Sequence, residues 1–369
     1  MSQTTQLDGA QGPAPRRVPL AFITVVMLIW GVLLGYPVSR LVHWLPMPYW
    51  ASGLLGFFLF LTPLICRWPL REVRTSFARK VKQVLEIPLG IIPVWWVGTL
   101  ALDVSQRIWG LSDKDVLVWL GLFLMLAVVV GLWSIRPTLV THRLNLVNLT
   151  RPLRIVQWTD VHIGSRDPAF LDRLVAQVNE IRPDLLTITG DFIDQTGITL
   201  DQLGGLQALS MPCYFVTGNH ERYEDLEAII NRLERLGVMV LRGQAVLARD
   251  DVQIIGIDDA DRKDQLQREL RGIPLEEERC NILLYHRPEG LEVADEYDIH
   301  LTLSGHTHAG QIVPFGYLVR RVFPKLKGWS CTGGCKHYVS EGTGSWGPAL
   351  RLGTRSEVTL FEIEPSIGA

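Results

Sequence analysis

Long apolar runs without charged residues fill much of the first third of the chain. Three of them, at residues 18–36, 49–66 and 116–133, approach the roughly 20 apolar residues that a helix needs to cross a bilayer core. A fourth run, at 87–102, is shorter and contains two prolines, so it predicts a kinked helix. Together the runs predict four transmembrane helices within residues 18–134. The first run could instead be a cleaved signal peptide, but no small-residue cleavage site follows it.

A different pattern begins at Leu153, where short apolar runs alternate with amphipathic segments. Strands are predicted for "LRIVQW", "DLLTITG", "CYFVTG", "VQIIGI", "NILLYH", "IHLTLSG" and "EVTLFEI", and helices for "PAFLDRLVAQVNEI" and "DLEAIINRLERLG". This alternation favours an α/β domain whose sheet is buried on both faces. We therefore divide the chain into a disordered tail (1–17), the membrane region (18–134), a linker (135–152) and the α/β domain (153–365).

Positive charges are distributed unevenly between the loops of the predicted membrane region. The loop between the second and third apolar runs contains Arg67, Arg71, Arg74, Arg79, Lys80 and Lys82. The loops on either side of it are poor in Lys and Arg. Because cytoplasmic loops carry such an excess, we predict that both termini and the α/β domain are cytoplasmic. The formal net charge of the chain is −2, so no nucleic-acid partner is expected.

The five cysteines form no regular framework. Only Cys331 and Cys335 are close together, and a structural zinc site would need a second Cys or His pair at suitable spacing. We therefore predict free thiols, which fit a reducing compartment.

Polar motifs follow five of the predicted strands. They are "TDVH", "GDFID", "GNHE", "YHRPE" and "SGHTHAGQI", and their candidate residues are Asp160, His162, Asp191, Asp194, Asn219, His220, Glu221, His286, His306 and His308. The carboxyl ends of strands are where α/β sheets usually carry their chemistry. Residues two apart in extended chain point to the same face, so Asp160 and His162 are expected to bind one ion. Gly190, Gly218 and Gly305 would give the backbone room beside these ligands.

Each motif has a plain alternative, since D-x-H occurs by chance, "GD" is often a turn and "NH" can cap a helix. Five of the nine histidines nevertheless fall at these positions, and one sheet could bring all five motifs together. Carboxylates, an amide oxygen and imidazoles without thiolates suit Mn²⁺, Fe or Zn²⁺. The sequence therefore predicts a site for two divalent ions that share a bridging carboxylate.

The series D-x-H, G-D-x-x-D, G-N-H-E, a single His and G-H-T-H resembles the calcineurin-like metallophosphoesterases over residues 153–364. "GHTHAGQI" and "YVSEGTGSWGPALRLG" are similar to the membrane-attached bacterial branch, some of whose members hydrolyse UDP-2,3-diacylglucosamine in lipid A biosynthesis. The resemblance implies a β-sandwich flanked by helices, in a multi-pass protein of the cell inner membrane. It also implies a metal-dependent hydrolase of phosphoric ester or pyrophosphate bonds.

The resemblance further implies a role for each motif residue. The first ion would be held by Asp160, His162 and His308, the second by Asn219, His286 and His306, and Asp191 would bridge the two. His220 would face the substrate as the catalytic residue, while Asp194 and Glu221 would orient the ligands. Mn²⁺ is the preferred metal in this interpretation, with Fe or Zn²⁺ as alternatives.

The segment after the last motif, "IVPFGYLVRRVFPKLKGW" (312–329), mixes aromatic and basic residues. This composition predicts a segment that lies at an anionic membrane interface, with a surface loop packed on its own domain as the alternative. An interfacial position favours a lipid-linked phosphodiester or pyrophosphate as substrate and membrane lipids as partners. A soluble small-molecule phosphodiester, or a catalytically idle metal-binding scaffold, remains as an alternative. The acidic stretch "GIDDADRKD", with Asp258, Asp259 and Asp261, could line the pocket, but a solvated loop is the favoured expectation.

Overall fold

The computed structural model describes residues 20–45, 48–67 and 76–366. The predicted disordered tail, residues 1–17, and the start of the first apolar run lie outside the described residues. Within the described part, a helical N-terminal region precedes an α/β domain that is built on two mixed sheets.

In the described chain, the N-terminal region consists of α1 (Leu20–Trp44), α2 (Tyr49–Arg67), α3 (Ser76–Trp109) and α4 (Asp113–Ser134). The described part of each predicted apolar run therefore falls within one helix. Helix α3 extends beyond its predicted run at both ends and contains Pro88 and Pro93. Helix α4 begins with a capping box between Ser112 and Asp115, which satisfies backbone N–H groups that a helix N-terminus leaves free.

Two helical segments of the described chain are long and apolar enough to cross a membrane, namely Lys80–Trp109 within α3 and the whole of α4. Helix α2 contains a shorter apolar stretch. Large apolar side chains on α1 and α4 are exposed, among them Leu28, Val32 and Val129 at 65%, 69% and 59%. Contiguous exposed apolar surface marks a site of contact with a membrane or a partner, so the surface of these helices suits a lipid environment.

The strands of the described chain are β1 (Thr138–Leu146), β2 (Leu153–Trp158), β3 (Leu185–Thr189), β4 (Cys213–Val216), β5 (Met239–Val240), β6 (Gln244–Arg249), β7 (Val252–Ile257), β8 (Cys280–Tyr285), β9 (Leu301–Ser304), β10 (Gly328–Thr332), β11 (Cys335–Val339) and β12 (Glu357–Pro365). All the predicted strands are present, as β2, β3, β4, β7, β8, β9 and β12.

The strands form two six-stranded sheets, in the orders β1-β12-β2-β3-β4-β5 and β10-β11-β9-β8-β7-β6. Strands β2 to β5 are parallel neighbours in the first sheet, and β7, β8, β9 and β11 are parallel neighbours in the second. Parallel neighbours bring their carboxyl ends to one edge of the sheet. The motifs that one sheet was expected to collect are thus divided between β2, β3 and β4 of the first sheet and β8 and β9 of the second.

The two sheets pack face to face around a shared apolar core. Ile155 and Phe361 contribute to it from the first sheet, and Ile282 and Leu303 from the second. The helices of the described α/β domain are α5 (Pro168–Ile181), α6 (Leu200–Leu203), α7 (Asn219–Tyr223), α8 (Leu226–Arg235), α9 (Gln265–Leu270), α10 (Leu291–Glu296) and α11 (Phe315–Val322), with short 3-10 helices at Gly204–Ala208 and His308–Gly310. Helices α5 and α8 cover the outer face of the first sheet, and α9 and α10 cover that of the second. Helix α5 has the bounds that the sequence predicted.

Strand β1 lies in residues 135–152, the segment predicted as a linker. It pairs in parallel with β12, from Thr138 opposite Glu357 to Leu146 opposite Pro365. Its side chains alternate between half-buried and exposed, as expected for an edge strand with one covered face. Because polar residues occupy alternate positions, a search for continuous apolar runs does not reveal this strand.

Candidate metal centre

The predicted ligands lie in the segments that directly follow five strands. Asp160 and His162 follow β2, Asp191 follows β3, and Asn219 and His220 follow β4, while His286 follows β8, and His306 and His308 follow β9. Three groups of side chains form there, each with potential ligand atoms within 4.8 Å of one another. The groups are Asp160–His162–His308, His162–Asp191–His220 and Asp191–His286–His306. Since His162 and Asp191 each belong to two groups, the three groups make one continuous cluster.

The first group joins the loops after β2 and β9. His308 Nε2 lies 3.2 Å from Asp160 Oδ1 and 3.1 Å from His162 Nε2. The Asp160 carboxylate accepts hydrogen bonds from Thr159 Oγ1 at 2.7 Å and from the backbone N–H of His306 at 3.0 Å. Asp160 and His162 are fully buried, so their orientation is determined by the surrounding protein.

The Asp191–His286–His306 group joins the loops after β3, β8 and β9. His286 Nε2 lies 3.2 Å from Asp191 Oδ2 and 3.1 Å from His306 Nδ1. His286 Nδ1 is 2.7 Å from the carbonyl oxygen of Thr189, which fixes a proton on Nδ1 and leaves Nε2 facing the site. The end of β3 thereby positions His286 through the Thr189 carbonyl oxygen, and the loop that follows β3 carries the Asp191 carboxylate that His286 faces.

Charges within this group shift the pKa values of its members in opposite directions. Burial alone would raise the pKa of Asp191, but the His286 imidazole holds it well below its usual range. Burial alone would lower the pKa of His286, but the Asp191 carboxylate raises it to about 10. Burial and the His286 charge lower the pKa of His306 to about 4. A buried carboxylate stays ionised only when positive charge lies beside it. At this site the His286 imidazole supplies that charge to Asp191.

Asn219 and His220 enter the cluster from the loop after β4. The backbone N–H of His220 donates a hydrogen bond to Asp191 Oδ1 at 2.8 Å, and His220 Nε2 is 4.0 Å from Asp191 Oδ2. Asn219 Oδ1 is buried and has no hydrogen-bond partner among the described residues. A buried amide oxygen without a donor costs free energy, and a bound cation would remove that cost.

The arrangement of donor atoms fits two divalent cations. In the pairs His162–His308 and His286–His306, two imidazole nitrogens face each other at 3.1 Å. Carboxylate oxygens of Asp160 and Asp191 lie beside these pairs, and Asn219 lines the same cavity with a buried, unpartnered oxygen. The three groups contain no thiolate. Oxygen and nitrogen donors of this kind bind borderline or hard divalent ions. Such a crowded set of electron-pair donors is stabilised when cations replace the protons between them.

The backbone at the site is unusual in its conformation. Asp160, His162, Asp191, His306 and His308 have left-handed φ values between 47° and 73°. Non-glycine residues rarely adopt this region, and such strain concentrates at functional sites. The expectation that Asp160 and His162 share a face of extended chain is therefore wrong. A left-handed turn after β2 brings both side chains to one place.

Two of the predicted glycines are required by close approach of neighbouring atoms. A Cβ on Gly305 would lie 2.0 Å from Thr159 Oγ1 and 2.3 Å from Asp160 Oδ2. A Cβ on Gly218 would lie 2.2 Å from Asp191 Oδ1. Only glycine leaves room at these positions for the ligands of the neighbouring loop.

Asp194 supports His162, as the sequence predicted. Asp194 Oδ2 lies 3.5 Å from His162 Nδ1, so His162 Nε2 turns toward His308. Ser165 donates hydrogen bonds to Asp194 from its N–H at 2.9 Å and from its hydroxyl. Burial alone would lower the pKa of His162, but the Asp194 carboxylate raises it.

Glu221 fixes the loop that carries Asp191. Its fully buried carboxylate accepts four backbone hydrogen bonds, from the N–H groups of Asp191 (3.1 Å), Phe192 (2.7 Å), Ile193 (2.9 Å) and Gly218 (2.8 Å). Burial and the Asp191 charge raise the pKa of Glu221 to about 7, while the N–H groups act in the opposite direction. The loops after β3 and β4 are thus tied together through one side chain.

Arg351 is a buried residue at the site that the sequence did not single out. Its Nη2 lies 3.1 Å from His308 Nδ1 and donates a hydrogen bond to the carbonyl oxygen of Gly344 at 2.8 Å. Its backbone N–H donates to the carbonyl oxygen of Gly131 in α4 at 3.2 Å. Burial lowers the pKa of Arg351 to about 10, so the side chain stays charged at neutral pH. The sequence feature that could have indicated Arg351 is its position as a single Arg between two leucines in the glycine-rich "YVSEGTGSWGPALRLG".

The acidic stretch 258–261 has a different role from the one expected. Asp259 is buried and forms ion pairs with Arg222 and Arg287. Arg222 is next to Glu221, and Arg287 is next to His286. The expectation of a solvated loop is therefore wrong for Asp259, which ties together two of the loops that carry ligands.

A cavity of about 560 Å³ opens over the ligand cluster. The rings of Tyr223 and Trp346 flank His220, with centroid distances of 6.3 and 5.9 Å. Both aromatic side chains are largely exposed. The motifs did not predict either of them, because each lies outside the strand-end pattern. The aromatic rings offer a surface for an organic group beside the metal cluster.

All five cysteines are free in the described structure, which agrees with the predicted free thiols. None of them belongs to a ligand group described above.

Comparison with known proteins supports the interpretation of this site. The family model of the calcineurin-like phosphoesterases matches residues 153–310. An uncharacterised metallophosphoesterase of Aquifex aeolicus is 33% identical over 229 residues, which cover 58% of this chain and 85% of that protein. An uncharacterised metallophosphoesterase of Campylobacter jejuni is 33% identical over 226 residues, covering 59% of this chain and 60% of that protein.

A transmembrane protein with a metallophosphoesterase domain from Danio rerio is also 33% identical, over 56% of this chain and 52% of that protein. The chain thus spans about half to 60% of the length of the Danio and Campylobacter relatives, but most of the Aquifex protein. The matched region contains every motif of the ligand cluster. The chain therefore belongs to the calcineurin-like metallophosphoesterase family.

Proposed function

We propose that the protein is a membrane-anchored phosphoesterase that uses two divalent ions to hydrolyse a phosphodiester or pyrophosphate bond, in a lipid-linked substrate. The observation that supports this most directly is the continuous ligand cluster around Asp191, at the base of an open cavity. A complete set of donors argues against a catalytically idle scaffold, for which a degenerate set would be expected.

The proposed ligand roles agree with two of the three groups and with the buried Asn219 oxygen. Asp160, His162 and His308 would hold one ion, Asn219, His286 and His306 would hold the other, and Asp191 would be shared between them. When bound, two divalent ions supply an activated water and neutralise charge on the phosphate oxygens. Mn²⁺ is the proposed metal, with Fe or Zn²⁺ as alternatives, because the donors are oxygen and nitrogen.

His220 is the proposed catalytic residue. It is part-exposed at the cavity, with 19% of its side chain accessible, whereas the His162 and His286 side chains are completely buried. Burial and the neighbouring His162 lower the pKa of His220, so its ring is neutral at neutral pH. Its N–H can then donate a hydrogen bond to the oxygen that leaves phosphorus, which stabilises the negative charge forming there.

The membrane environment is supported by two surfaces. The exposed apolar faces of α1 and α4 suit a lipid environment. Helix α11 follows the His306–His308 loop and has no buried residue. It exposes Tyr317, Leu318 and Val322 at 73%, 59% and 68%, next to two arginines. Apolar side chains beside basic ones are typical of a helix that lies at an anionic membrane interface.

Helix α11 is also connected to the ligands. The ring of Phe323, directly after the helix, packs against His306 with centroids 4.8 Å apart. Contact between α11 and the cytoplasmic face of the inner membrane would hold the cavity beside lipid headgroups. This geometry favours a lipid-linked phosphate over a soluble one. UDP-2,3-diacylglucosamine, an intermediate of lipid A biosynthesis, is the most specific candidate, and it comes from the resemblance alone.

Turnover by the detergent-purified full chain with Mn²⁺ tests the proposal. We expect hydrolysis of UDP-2,3-diacylglucosamine or of a phospholipid, and slower hydrolysis of bis(4-nitrophenyl) phosphate. Hydrolysis of the soluble ester alone would favour a tethered phosphodiesterase for soluble substrates. Tight metal binding without hydrolysis of any phosphate ester would favour the scaffold.

A further inference from the structure

Part of the wall of the cavity comes from the N-terminal helices. Cys66 of α2 and Lys82 and Glu86 of α3 line the same cavity as Asp191, His220 and His306. Lys82 and Glu86 are one helical turn apart, so they lie on the same face of α3. The helices therefore do more than anchor the domain, because they complete the enclosure in which a substrate would bind.

The helices are fixed to the loops that carry the ligands. Gln83 Nε2 donates a hydrogen bond of 3.1 Å to the carbonyl oxygen of Ser165, and Ser165 in turn holds Asp194 behind His162. At the other side, Leu350 packs into the space over Gly90 of α3 and Gly131 of α4. These contacts keep the wall at a set position relative to the cluster, so a side chain on α3 can act on a bound substrate.

Lys82 is a cation on this wall that forms no ion pair with a carboxylate of the described residues. It is half-buried, and no salt bridge joins it to another residue that the structure describes. Among the described residues that line the cavity, it is the only one with a permanent positive charge. A half-buried ammonium group without a counter-ion is costly until an anion neutralises it.

The size of the cavity indicates the kind of anion. About 560 Å³ is within the range of roughly 300–1,000 Å³ that encloses a small organic ligand, and it exceeds what one phosphate group fills. The phosphate that reacts would lie at the ligand cluster. Lys82, which lines the same cavity, is then available to a second anionic group of the same molecule.

We infer that Lys82 is a specificity-determining residue that binds a second phosphate of the substrate, so the preferred substrate is a pyrophosphate diester rather than a simple phosphodiester. The inference rests on the proposed function for the position of the reacting phosphate. An ammonium group attracts a phosphate as a point charge, and the half-buried position of Lys82 strengthens that attraction relative to water.

The experiment compares Lys82→Gln and Lys82→Met with Lys80→Gln in the full chain loaded with Mn²⁺. Lys80 lies on the same helix but is exposed and does not line the cavity, so its variant controls for loss of charge from α3. Binding of imidodiphosphate, which resists hydrolysis, and of orthophosphate is measured by calorimetry. Lys82→Arg tests whether another cation restores binding.

We expect both neutral Lys82 variants to lower the affinity for imidodiphosphate about tenfold, because one charge-assisted contact is lost. Their affinity for orthophosphate should fall by less than about twofold. Lys80→Gln should change neither affinity, and Lys82→Arg should keep most of the affinity for imidodiphosphate. An equal change for the two anions, or none, would overturn the inference. Because binding is measured without turnover, an enzyme that binds imidodiphosphate through Lys82 but hydrolyses nothing would refute only the proposed function.

Discussion

Replacement of Glu221 by Gln tests how the site is held in place. The carboxylate accepts four backbone hydrogen bonds within 3.1 Å and is completely buried. A Gln side chain offers one oxygen, which can serve two of those N–H groups. Its NH₂ group would face the other two donors and cannot accept from them.

The expected cost follows from those two lost bonds. A hydrogen bond to a charged group contributes about 1.5–3 kcal/mol, so the loss of two in Glu221→Gln should destabilise the metal-free protein by about 3–6 kcal/mol. In a domain of this size 1 kcal/mol shifts the melting temperature by about 2–4 °C, so a decrease of about 6–24 °C is expected. The affinity for metal should fall as well, because three of the four N–H donors belong to the Asp191 loop, and this loop loses one or two of the contacts that position it.

The assay is thermal unfolding of the detergent-purified chain, with and without Mn²⁺. Glu234→Gln is the matched control, since Glu234 is exposed on α8 and surface substitutions change stability by about 0.5 kcal/mol or less. A Glu221→Gln protein that melts within about 1 °C of the wild type and keeps its metal would refute the reasoning.

Three further predictions concern the ligand cluster. Asp191→Asn should lose metal and activity together, measured by metal analysis and turnover; full metal content would contradict the bridging role. His220→Ala should lower turnover by about 10²–10⁴-fold, the usual contribution of a proton-transfer residue, while metal content stays nearly unchanged; loss of metal would instead make His220 a ligand. Because the Asp191 carboxylate raises the pKa of His286 to about 10, metal must displace a proton there at neutral pH. The apparent metal affinity should therefore rise by up to about tenfold per pH unit between about pH 6 and pH 8, measured by chelator competition, and an affinity independent of pH would be inconsistent with that proton.

Much of the fold could be predicted from the sequence because its central strands are apolar throughout. Strands such as β7 and β8 are fully buried, and continuous apolar runs identify buried strands well. Strand β1 was not predicted, because its polar residues face solvent at an edge of the sheet. Strands β10 and β11 were not predicted, because basic and polar residues interrupt their apolar runs. Strand β1 pairs with β12, β11 with β9 and β10 with β11, and local sequence does not encode such pairing.

The ligands were predictable for a different reason. Each motif directly follows a strand, so the order of the strands brings the motifs together whatever the details of the loops. The left-handed backbone at His306 and His308 was not predictable, because only a few per cent of non-glycine residues adopt it, even though histidine is among the enriched types. Arg351 and Lys82 were not predictable either, since their positions depend on how the loop after β11 and helix α3 pack against the cluster.

We propose that the cluster around Asp191 holds two divalent ions that are needed for hydrolysis. This is tested by counting the metal ions per chain in the purified protein, by mass spectrometry of the metals, and by measuring turnover of bis(4-nitrophenyl) phosphate on the same sample. We expect two ions per chain, loss of turnover when a chelator removes them, and recovery with Mn²⁺. Full turnover after both ions are removed, or a fully active chain that holds none, would contradict the proposal.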